Sequence, residues 1–429
     1  MLNVSFDYPG YEKIAPVEIP EERLMGVWGV KVLEGHDEMA EVRRGLLEPI
    51  GKRRLREAAA GKKQALVLID DATRTTPTAK LLPAVMEELH AAGLEKKQIR
   101  ILTAQGTHRR MEEAELRKKL GKLFGQYEVF QHDWKDEASF HTFGKTADGT
   151  LVRANKLLKE SDFILGVGGI VPHRVKGFSG GAKIAFPGVS GPEMMERNQW
   201  EASMQMSETV MGVAENPMRL RMEEAAAMAG LAYIVNVVGD GAGKIAGCFC
   251  GDVVAAHRAG CKLSRELTAA NMPARADVLL IDSYPADRDF WQSAKGLYSG
   301  TMAVKRGGTI ILVSPNPEGV ASNHKNVLEI GYRPHAELVA MVQRGGVEDL
   351  VGIAILADVA SILDHARCVI VSPGMTREDA KKLGMEWSSN GTAALKEALD
   401  RAGPTAQVAV LKHGGHILPL AAEAPSGQK

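Results

Sequence analysis

The chain reads Gln64-Ala65-Leu66-Val67-Leu68-Ile69-Asp70-Asp71 at the point from which its fold is best predicted. The uncharged aliphatic run predicts a strand that is buried on both faces, and the two carboxylates mark its end. Residues 81–92 are apolar at helical spacing and stop at Gly93, while residues 98–104 and 161–167 predict further buried strands. Strands that alternate with helices predict an α/β fold built on a parallel, doubly wound sheet.

A second α/β unit is predicted from Ala276 onward. Its apolar runs predict strands at residues 277–282, 308–313 and 368–372 and a helix at residues 289–298. The best candidate for a hinge is the stretch 271–275, Asn-Met-Pro-Ala-Arg. We therefore expect two α/β domains with parallel sheets, residues 1–272 and residues 273–403. A strand predicted at residues 407–411 leaves open whether residues 404–429 join the first domain.

The composition excludes several classes of function. The 429 residues suggest two domains, and Lys+Arg equals Asp+Glu at 53 each, so no net charge attracts nucleic acid or a membrane. No apolar window reaches 18 residues, and the first residues lack the basic and apolar segments of a signal peptide. We therefore expect a cytoplasmic enzyme without nucleic-acid or membrane partners. Small buried thiols in a reducing compartment explain the cysteines better than a zinc site does; the cysteines are Cys248, Cys250, Cys261 and Cys368.

Polar side chains follow the first predicted strand directly. The segment reads Asp70-Asp71-Ala72-Thr73-Arg74-Thr75-Thr76-Pro77-Thr78. Its hydroxyls, its N–H groups and its arginine suit a phosphate or a carboxylate. Asp and Thr at a strand-to-helix turn are also ordinary helix caps. The charge of Arg74 favours the anion site over the simple cap.

Two histidines follow strand ends in the same way. Gly106-Thr107-His108-Arg109-Arg110 comes after the strand at 98–104, and Pro172-His173 comes after the strand at 161–167. The carboxyl ends of parallel strands meet at one edge of a sheet, so we expect both histidines at that edge. Two histidines there can act as general acid and general base on opposite faces of one carbon.

A glycine-rich segment follows His173 and ends in a lysine. It reads Gly177-Phe178-Ser179-Gly180-Gly181-Ala182-Lys183. Glycines let the backbone approach a bound molecule closely, and a lysine there can contact an anion or bond to a cofactor. The spacing is not that of a Walker loop. A solvated Lys183 on a long turn is the alternative, and the apolar residues 184–186 argue against full exposure.

The second unit contributes one weaker candidate, in the stretch Asp289-Phe290-Trp291-Gln292-Ser293-Ala294-Lys295. On a helix, Gln292 and Lys295 lie three residues apart on one face. An amide beside an ammonium group suits a hydroxy acid. Taken alone, such a pair more commonly marks a solvated helix face.

Taken together, these segments resemble the lactate racemase family that uses the nickel-pincer nucleotide cofactor. The resemblance covers residues 65 to 300 and depends on the order and separation of all the motifs. It implies two α/β domains with an active site in the cleft between them. It also implies a racemase or epimerase that transfers a hydride from an α-hydroxy acid to a pyridinium ring and back to either face.

The resemblance assigns roles residue by residue. It implies a covalent link between Lys183 and the cofactor, a pyridinium-3,5-bisthiocarboxylic acid mononucleotide with nickel made by dedicated biosynthetic enzymes. His108 and His173 would exchange the substrate hydroxyl proton. Four residues match the positions that hold the cofactor in the family: Asp71, Ala72, Thr73 and Arg74. Three match the positions that bind the substrate: Arg74, Gln292 and Lys295.

One departure concerns the metal. The family has an axial nickel histidine after the cofactor lysine, but no histidine occurs here between His173 and His257, and Gln199 stands at that position. An amide oxygen is a poorer nickel ligand than imidazole. Two alternatives to the racemase stay open: a relative with altered or absent metal chemistry, and a non-catalytic protein that binds a nucleotide or hydroxy acid.

Overall fold

The computed structural model describes residues 1–11, 14–321 and 323–422. Its strands, in chain order, are β1 Leu2–Val4, β2 Val17–Ile19, β3 Leu24–Trp28, β4 Ala65–Asp70, β5 Ile99–Ala104, β6 Glu128–Gln131, β7 Phe140–Lys145, β8 Leu151–Asn155, β9 Phe163–Gly169, β10 Pro172–His173, β11 Gly177–Phe178, β12 Leu231–Gly239, β13 Ile245–Gly251, β14 Ala269–Met272, β15 Ala276–Asp282, β16 Val304–Val313, β17 Arg367–Val371, β18 Glu386–Ser388, β19 Val408–Leu411 and β20 Leu418–Ala421. Its α-helices are α1 Glu38–Leu47, α2 Leu55–Ala58, α3 Thr78–Ala91, α4 Glu113–Leu120, α5 Pro192–Ser203, α6 Ser207–Val210, α7 Pro217–Met228, α8 Ala255–Thr268, α9 Phe290–Ala303, α10 Asn326–Ile330, α11 His335–Arg344, α12 Leu350–His365, α13 Arg377–Lys382 and α14 Gly391–Ala402.

The first of two compact units is built on a sheet of order β13-β12-β9-β4-β5-β6 and comprises Lys31–Asn198 and Gly212–Leu267. All neighbouring strands of this sheet are parallel except the pair β12 and β13. Every residue of β4 is buried, as its aliphatic run predicts. The parallel arrangement places the ends of β4, β5 and β9 at one edge, where the polar segments following them meet.

The second unit has a sheet of order β18-β17-β16-β15-β19-β3, in which every neighbouring pair is parallel. It comprises Met1–Val30, Gln199–Met211 and the chain from Thr268 onward. Its core includes buried side chains of the N-terminal segment, among them Phe6 and Ile19. Predicted strands and helices of both units are present, so the predicted α/β class with parallel sheets is confirmed.

The observed units differ from the predicted domains 1–272 and 273–403, because Met1–Val30 and Gln199–Met211 both group with the second unit. Strand β3 pairs with β19, so the first 30 residues belong with the second sheet. Strand β19 also pairs with β15, so the segment after residue 404 does not return to the first sheet; residues 423–429 lie outside the described residues. Pairing between strands remote in sequence has no local signal, which is why the sequence did not reveal it. Among the described helices, none is long and apolar enough to cross a membrane.

Candidate active site

A pocket opens at the carboxyl ends of β4, β5 and β9. It encloses about 540 Å³ of empty space, including the part open to solvent. Four of the predicted site residues line it together. The lining consists of Asp70, Asp71, Arg74, Ala104, Gln105, Gly106, His108, Gly168, Gly169, Ser179, Gly180, Lys183, Ile184, Pro187, Gly188 and Met195.

An aspartate–histidine pair forms one wall of the pocket. The Nδ1 atom of His108 lies 2.6 Å from Oδ2 of Asp71, and the two side chains are 13% and 3% exposed. The other carboxylate oxygen accepts hydrogen bonds from the hydroxyl of Thr73 at 2.6 Å and from its backbone N–H at 3.1 Å. Burial opposes ionisation of Asp71, but His108, Arg74 and Thr73 outweigh it and hold the pKa of this carboxyl well below its usual range. Asp71 is therefore an anion that orients His108 through Nδ1.

The neighbouring carboxylate, Asp70, has a different partner. Its Oδ1 lies 2.5 Å from Nζ of Lys119, and its Oδ2 accepts a hydrogen bond from the hydroxyl of Thr76. Lys119 also donates to the backbone carbonyl of Arg74 at 3.1 Å. Lys119 thus ties α4 to the segment after β4. Sequence reasoning missed it because α4 reads as an ordinary charged surface helix.

The glycine-rich segment positions Lys183 at the pocket. Gly180 and Gly181 have φ of +74° and +59°, values that residues with a side chain rarely adopt. A Cβ on Gly181 would also lie 2.9 Å from the ring of His257. Residues Gly181–Ile184 then form a 3₁₀ helix that carries Lys183, which is half-buried.

Three buried side chains that sequence reasoning missed hold this segment in place. Arg219, on α7, is fully buried and donates to the carbonyls of Lys176, Phe178 and Gly180. Burial lowers the pKa of Arg219 to about 10.

The other two are His257 and Asn236. The ring of His257 lies 2.8 Å, through Nε2, from the carbonyl of Ser179, and burial together with the Arg219 charge holds its pKa well below the usual range. Asn236 accepts a hydrogen bond from the N–H of Gly181 at 2.7 Å. All three are distant in sequence from the segment that they support, and no local pattern marks them.

The second predicted histidine has a different environment. His173 lies on the two-residue strand β10, pairs with Gly177 on β11, and is not part of the pocket lining given above. Its Nδ1 accepts a hydrogen bond from the N–H of Val175 at 3.1 Å. A ring that accepts through Nδ1 carries its proton on Nε2 when neutral. These hydrogen bonds therefore favour opposite tautomers of the two neutral rings.

Gln292 and Lys295 lie together in the second unit. They occupy the first turns of α9, where Nζ of Lys295 donates to Oε1 of Gln292 at 2.7 Å. Asp289 caps the helix by accepting from the N–H of Gln292 at 2.8 Å, and burial raises the pKa of this carboxyl to about 6. The predicted helix and the shared face are confirmed. The substrate role of the pair stays a prediction.

The predicted metal position, Gln199, lies on α5 and is 8% exposed. It is the first residue of that helix grouped with the second unit. No cluster of three or more His, Cys, Asp or Glu side chains that could hold a metal occurs among the described residues. All four cysteines are free and buried, as expected for small packing residues.

Comparison with known proteins agrees with the motifs. The lactate racemase N-terminal domain model matches residues 11–212, and the C-terminal domain model matches residues 272–418. A curated lactate racemase of Thermoanaerobacterium thermosaccharolyticum is 30% identical over 426 residues, which cover 97% of this chain and 99% of that protein. The lactate racemase of Lactiplantibacillus plantarum is 28% identical over 421 residues, covering 96% and 98%.

Solved structures give the same answer. The lactate racemase apoprotein of T. thermosaccharolyticum superimposes with a TM-score of 0.86 at 27% identity, over 98% of this chain and all of that one. A Thermotoga maritima protein shares the fold. It is 20% identical and superimposes with a TM-score of 0.72, over 90% of this chain and 99% of that one. With the full-length match at 30% identity and both domain models in order, this chain belongs to the lactate racemase family of isomerases.

Proposed function

We propose that this protein racemises or epimerises an α-hydroxy acid, with His108 and His173 exchanging the hydroxyl proton. One observation carries the proposal: a buried, ionised Asp71 holds His108 in the same pocket that Lys183 lines. The two relatives described above are lactate racemases. A protein that only binds a nucleotide or hydroxy acid has no need of an oriented acid–base residue in its pocket.

His108 acts first as a base in this proposal. The Asp71 carboxylate accepts the Nδ1–H, so the lone pair of the neutral ring is on Nε2 and can take a proton from a hydroxyl. As the ring becomes positive, the adjacent anion stabilises it, in the manner of the aspartate in a serine-protease triad.

His173 starts in the complementary state. Because its Nδ1 accepts the Val175 N–H, its Nε2 carries a proton that it can donate. Racemisation requires one group that takes the hydroxyl proton and another that returns it, and the two tautomers provide that pair. For the opposite enantiomer the two roles exchange.

The residues present fit a nickel-pincer mononucleotide. Gly168, Gly169 and Gly180 bring bare backbone to the pocket wall, Arg74 supplies positive charge for a phosphate, and Lys183 supplies the amine for covalent attachment. Asp71, Ala72 and Thr73 would complete the holding segment. When bound, the cofactor supplies an acceptor for a hydride. Enzymes that synthesise the cofactor would be required partners.

Substrate binding is assigned to Arg74, Gln292 and Lys295. Guanidinium and ammonium groups bind carboxylates strongly, and the Gln292 amide can hydrogen-bond a hydroxyl or a carboxylate. Gln199 favours a second candidate, a relative with altered metal chemistry, because an amide oxygen suits harder ions than nickel.

The test uses protein produced together with the cofactor-making enzymes. Racemisation of single enantiomers of lactate and of larger α-hydroxy acids is followed by chiral chromatography, and intact mass reports the adduct. Lys183→Ala should abolish both adduct and activity, and His108→Asn or His173→Asn should keep the adduct and lose at least about 10²-fold in kcat. Full activity in either histidine variant, or an unchanged adduct in Lys183→Ala, would contradict these assignments.

A further inference from the structure

Three parallel strands place a carboxylate, a glycine and a carboxamide side by side at the pocket edge. In the sheet register, Asn236 of β12 is paired with Gly168 of β9, and Ile69 of β4 is paired with Val167. Asp70 is the next residue of β4 after Ile69, so it lies beside Gly168 on the side of β9 opposite to Asn236. Side chains of adjacent parallel strands at the same level point to the same face. The glycine in the middle leaves a gap between the two polar side chains.

The size of the gap follows from the glycine itself. A Cβ placed on Gly168 would lie 3.7 Å from Nδ2 of Asn236, 3.7 Å from Oδ2 of Asp70 and 3.9 Å from Cδ1 of Ile184. These are ordinary contact distances, so a methyl group on Gly168 would touch all three atoms, and the glycine leaves the amide and the carboxylate facing each other across its bare Cα. Gly168 and Asp70 both line the pocket, so the gap borders the space that a ligand would enter, and Asn236 lies behind it.

Asn236 presents an unused donor to the gap. Its side chain is fully buried, and its Oδ1 is identified as the oxygen because it accepts the N–H of Gly181 at 2.7 Å. The Nδ2 group has no hydrogen-bond partner among the described residues. A buried amide donor left without a partner is destabilising, so such groups in native proteins are normally matched by water or by a ligand.

The chemistry of the two flanks selects the group that fits. Nδ2 of Asn236 donates, whereas Oδ2 of Asp70 is a carboxylate oxygen and accepts. An anionic oxygen would satisfy the amide but has no proton to donate to the carboxylate, whose charge is already paired with Lys119. A neutral hydroxyl satisfies both, because it accepts from the amide and donates to the carboxylate.

We propose that the gap above Gly168 is a subsite for a neutral hydroxyl group of the bound ligand, held between Asn236 Nδ2 and Asp70 Oδ2. A ribose hydroxyl of a mononucleotide and the hydroxyl of a hydroxy acid share this chemistry. The assignment to a ribose rests on the proposed function, whereas the hydroxyl subsite does not. The subsite therefore can be tested on apoprotein, without cofactor attachment or catalysis.

The decisive variant is Gly168→Ala. The added methyl occupies the gap at ordinary contact distances, and the backbone does not have a positive φ there, so the fold should be retained. The matched control is Gly239→Ala on the neighbouring strand β12, where the new Cβ lies 3.7 Å from the carbonyl of Lys244 and outside the pocket lining. Asn236→Asp is the second variant, since it keeps an acceptor for Gly181 and removes the donor.

Calorimetric titration of each apoprotein with nicotinic acid mononucleotide, and separately with lactate, measures the effect. We expect saturable binding of the mononucleotide to the unmodified protein and to Gly239→Ala, and at least tenfold weaker binding to Gly168→Ala and Asn236→Asp. A loss confined to lactate would support the subsite and assign the hydroxyl to the acid.

Equal affinities in all four proteins would overturn the proposal and leave only water in the gap. Failure of both probes to bind the unmodified protein at millimolar concentration would overturn it as well. Melting temperatures check that every variant is folded.

Discussion

His108 and Asp71 came from two separate sequence motifs and form one unit in the structure. The motifs predicted a proton-transfer histidine and a cofactor-holding aspartate, 37 residues apart. Neither motif predicted that the carboxylate would bind Nδ1 of the ring. In the proposed mechanism this hydrogen bond leaves Nε2 of His108 for the substrate, which would make Asp71 a positioning residue for His108 as well as part of the cofactor-holding segment.

Asp71→Asn tests this role directly. The new amide can donate to Nδ1, which moves the ring proton to Nε2 and removes the base. We expect kcat to fall by roughly 10²–10⁴-fold with little change in KM, while intact mass still shows the cofactor adduct. The exposed Asp364 offers a control, and Asp364→Asn should be neutral. Loss of the adduct in Asp71→Asn would assign Asp71 to holding the cofactor instead.

Gln199 belongs to the proposed metal site rather than to the proposed proton transfer. Imidazole binds nickel better than an amide oxygen does, so we expect nickel in the purified holoprotein to be substoichiometric. Gln199→His should raise the nickel content, measured by inductively coupled plasma mass spectrometry against the amount of mass adduct. Stoichiometric nickel in the unmodified protein, with no gain from the histidine, would show that another group serves as the ligand.

The glycine-rich segment depends on elements that follow it in the chain. Helix α7 supplies Arg219, helix α8 supplies His257 and strand β12 supplies Asn236. The glycines predicted a segment with unusual backbone freedom, and the positive φ values at Gly180 and Gly181 agree. Backbone freedom alone would leave Lys183 mobile, so the buried side chains that bind the segment are what give it one conformation.

Arg219→Lys tests this support. A lysine keeps the charge but has a single nitrogen, so carbonyls among those of Lys176, Phe178 and Gly180 lose their donor. An unsatisfied buried group costs about 1–3 kcal/mol, and we expect a loss of unfolding free energy of at least that size together with a lower yield of cofactor adduct. Arg265→Lys is the control, because exposed Arg265 donates to one carbonyl, that of Gly212. Equal stability and adduct yield in the two variants would remove Arg219 from the positioning role.

The protein as a whole carries a buried carboxyl whose ionisation opposes folding. Asp282, at the end of β15, is 4% exposed, and burial raises its pKa from 3.8 to about 7, although the N–H of Gly414 donates to it at 2.6 Å. Between these two values the unfolded chain has lost the proton that the folded chain retains. Stability therefore falls from pH 4 to pH 7 through this group and changes no further above pH 7.

Asp282→Asn removes that dependence. The amide oxygen can still accept from Gly414, and no charge has to be buried. At about 1.4 kcal/mol per pKa unit, the unfolding free energy of the variant relative to the unmodified protein should rise by up to about 4 kcal/mol between pH 4 and pH 7. Urea titration followed by tryptophan fluorescence is suitable, since Trp28, Trp200, Trp291 and Trp387 lie in the unit that contains Asp282. A difference independent of pH would contradict the assigned pKa.

The sequence by itself determined the strands and helices around the pocket, because long apolar runs and helical spacing are local signals. Strand β4, helix α3 and strand β5 lie within a few residues of their predicted bounds. It also determined the family, since the motifs taken together resemble the lactate racemase family, to which the domain models and the 30% identical relative assign this chain. Both results follow from physical preferences that act over a few residues or from motifs that can be read in order.

Only the tertiary structure decided which distant residues meet. It paired β3 with β19, and so assigned the first 30 residues to the second sheet. It joined Asp71 to His108, placed Arg219 beneath the glycine-rich segment, and aligned Asn236 with Gly168 across two strands. These contacts depend on strand order and register, which the packing of the whole core sets and no local stretch of sequence encodes.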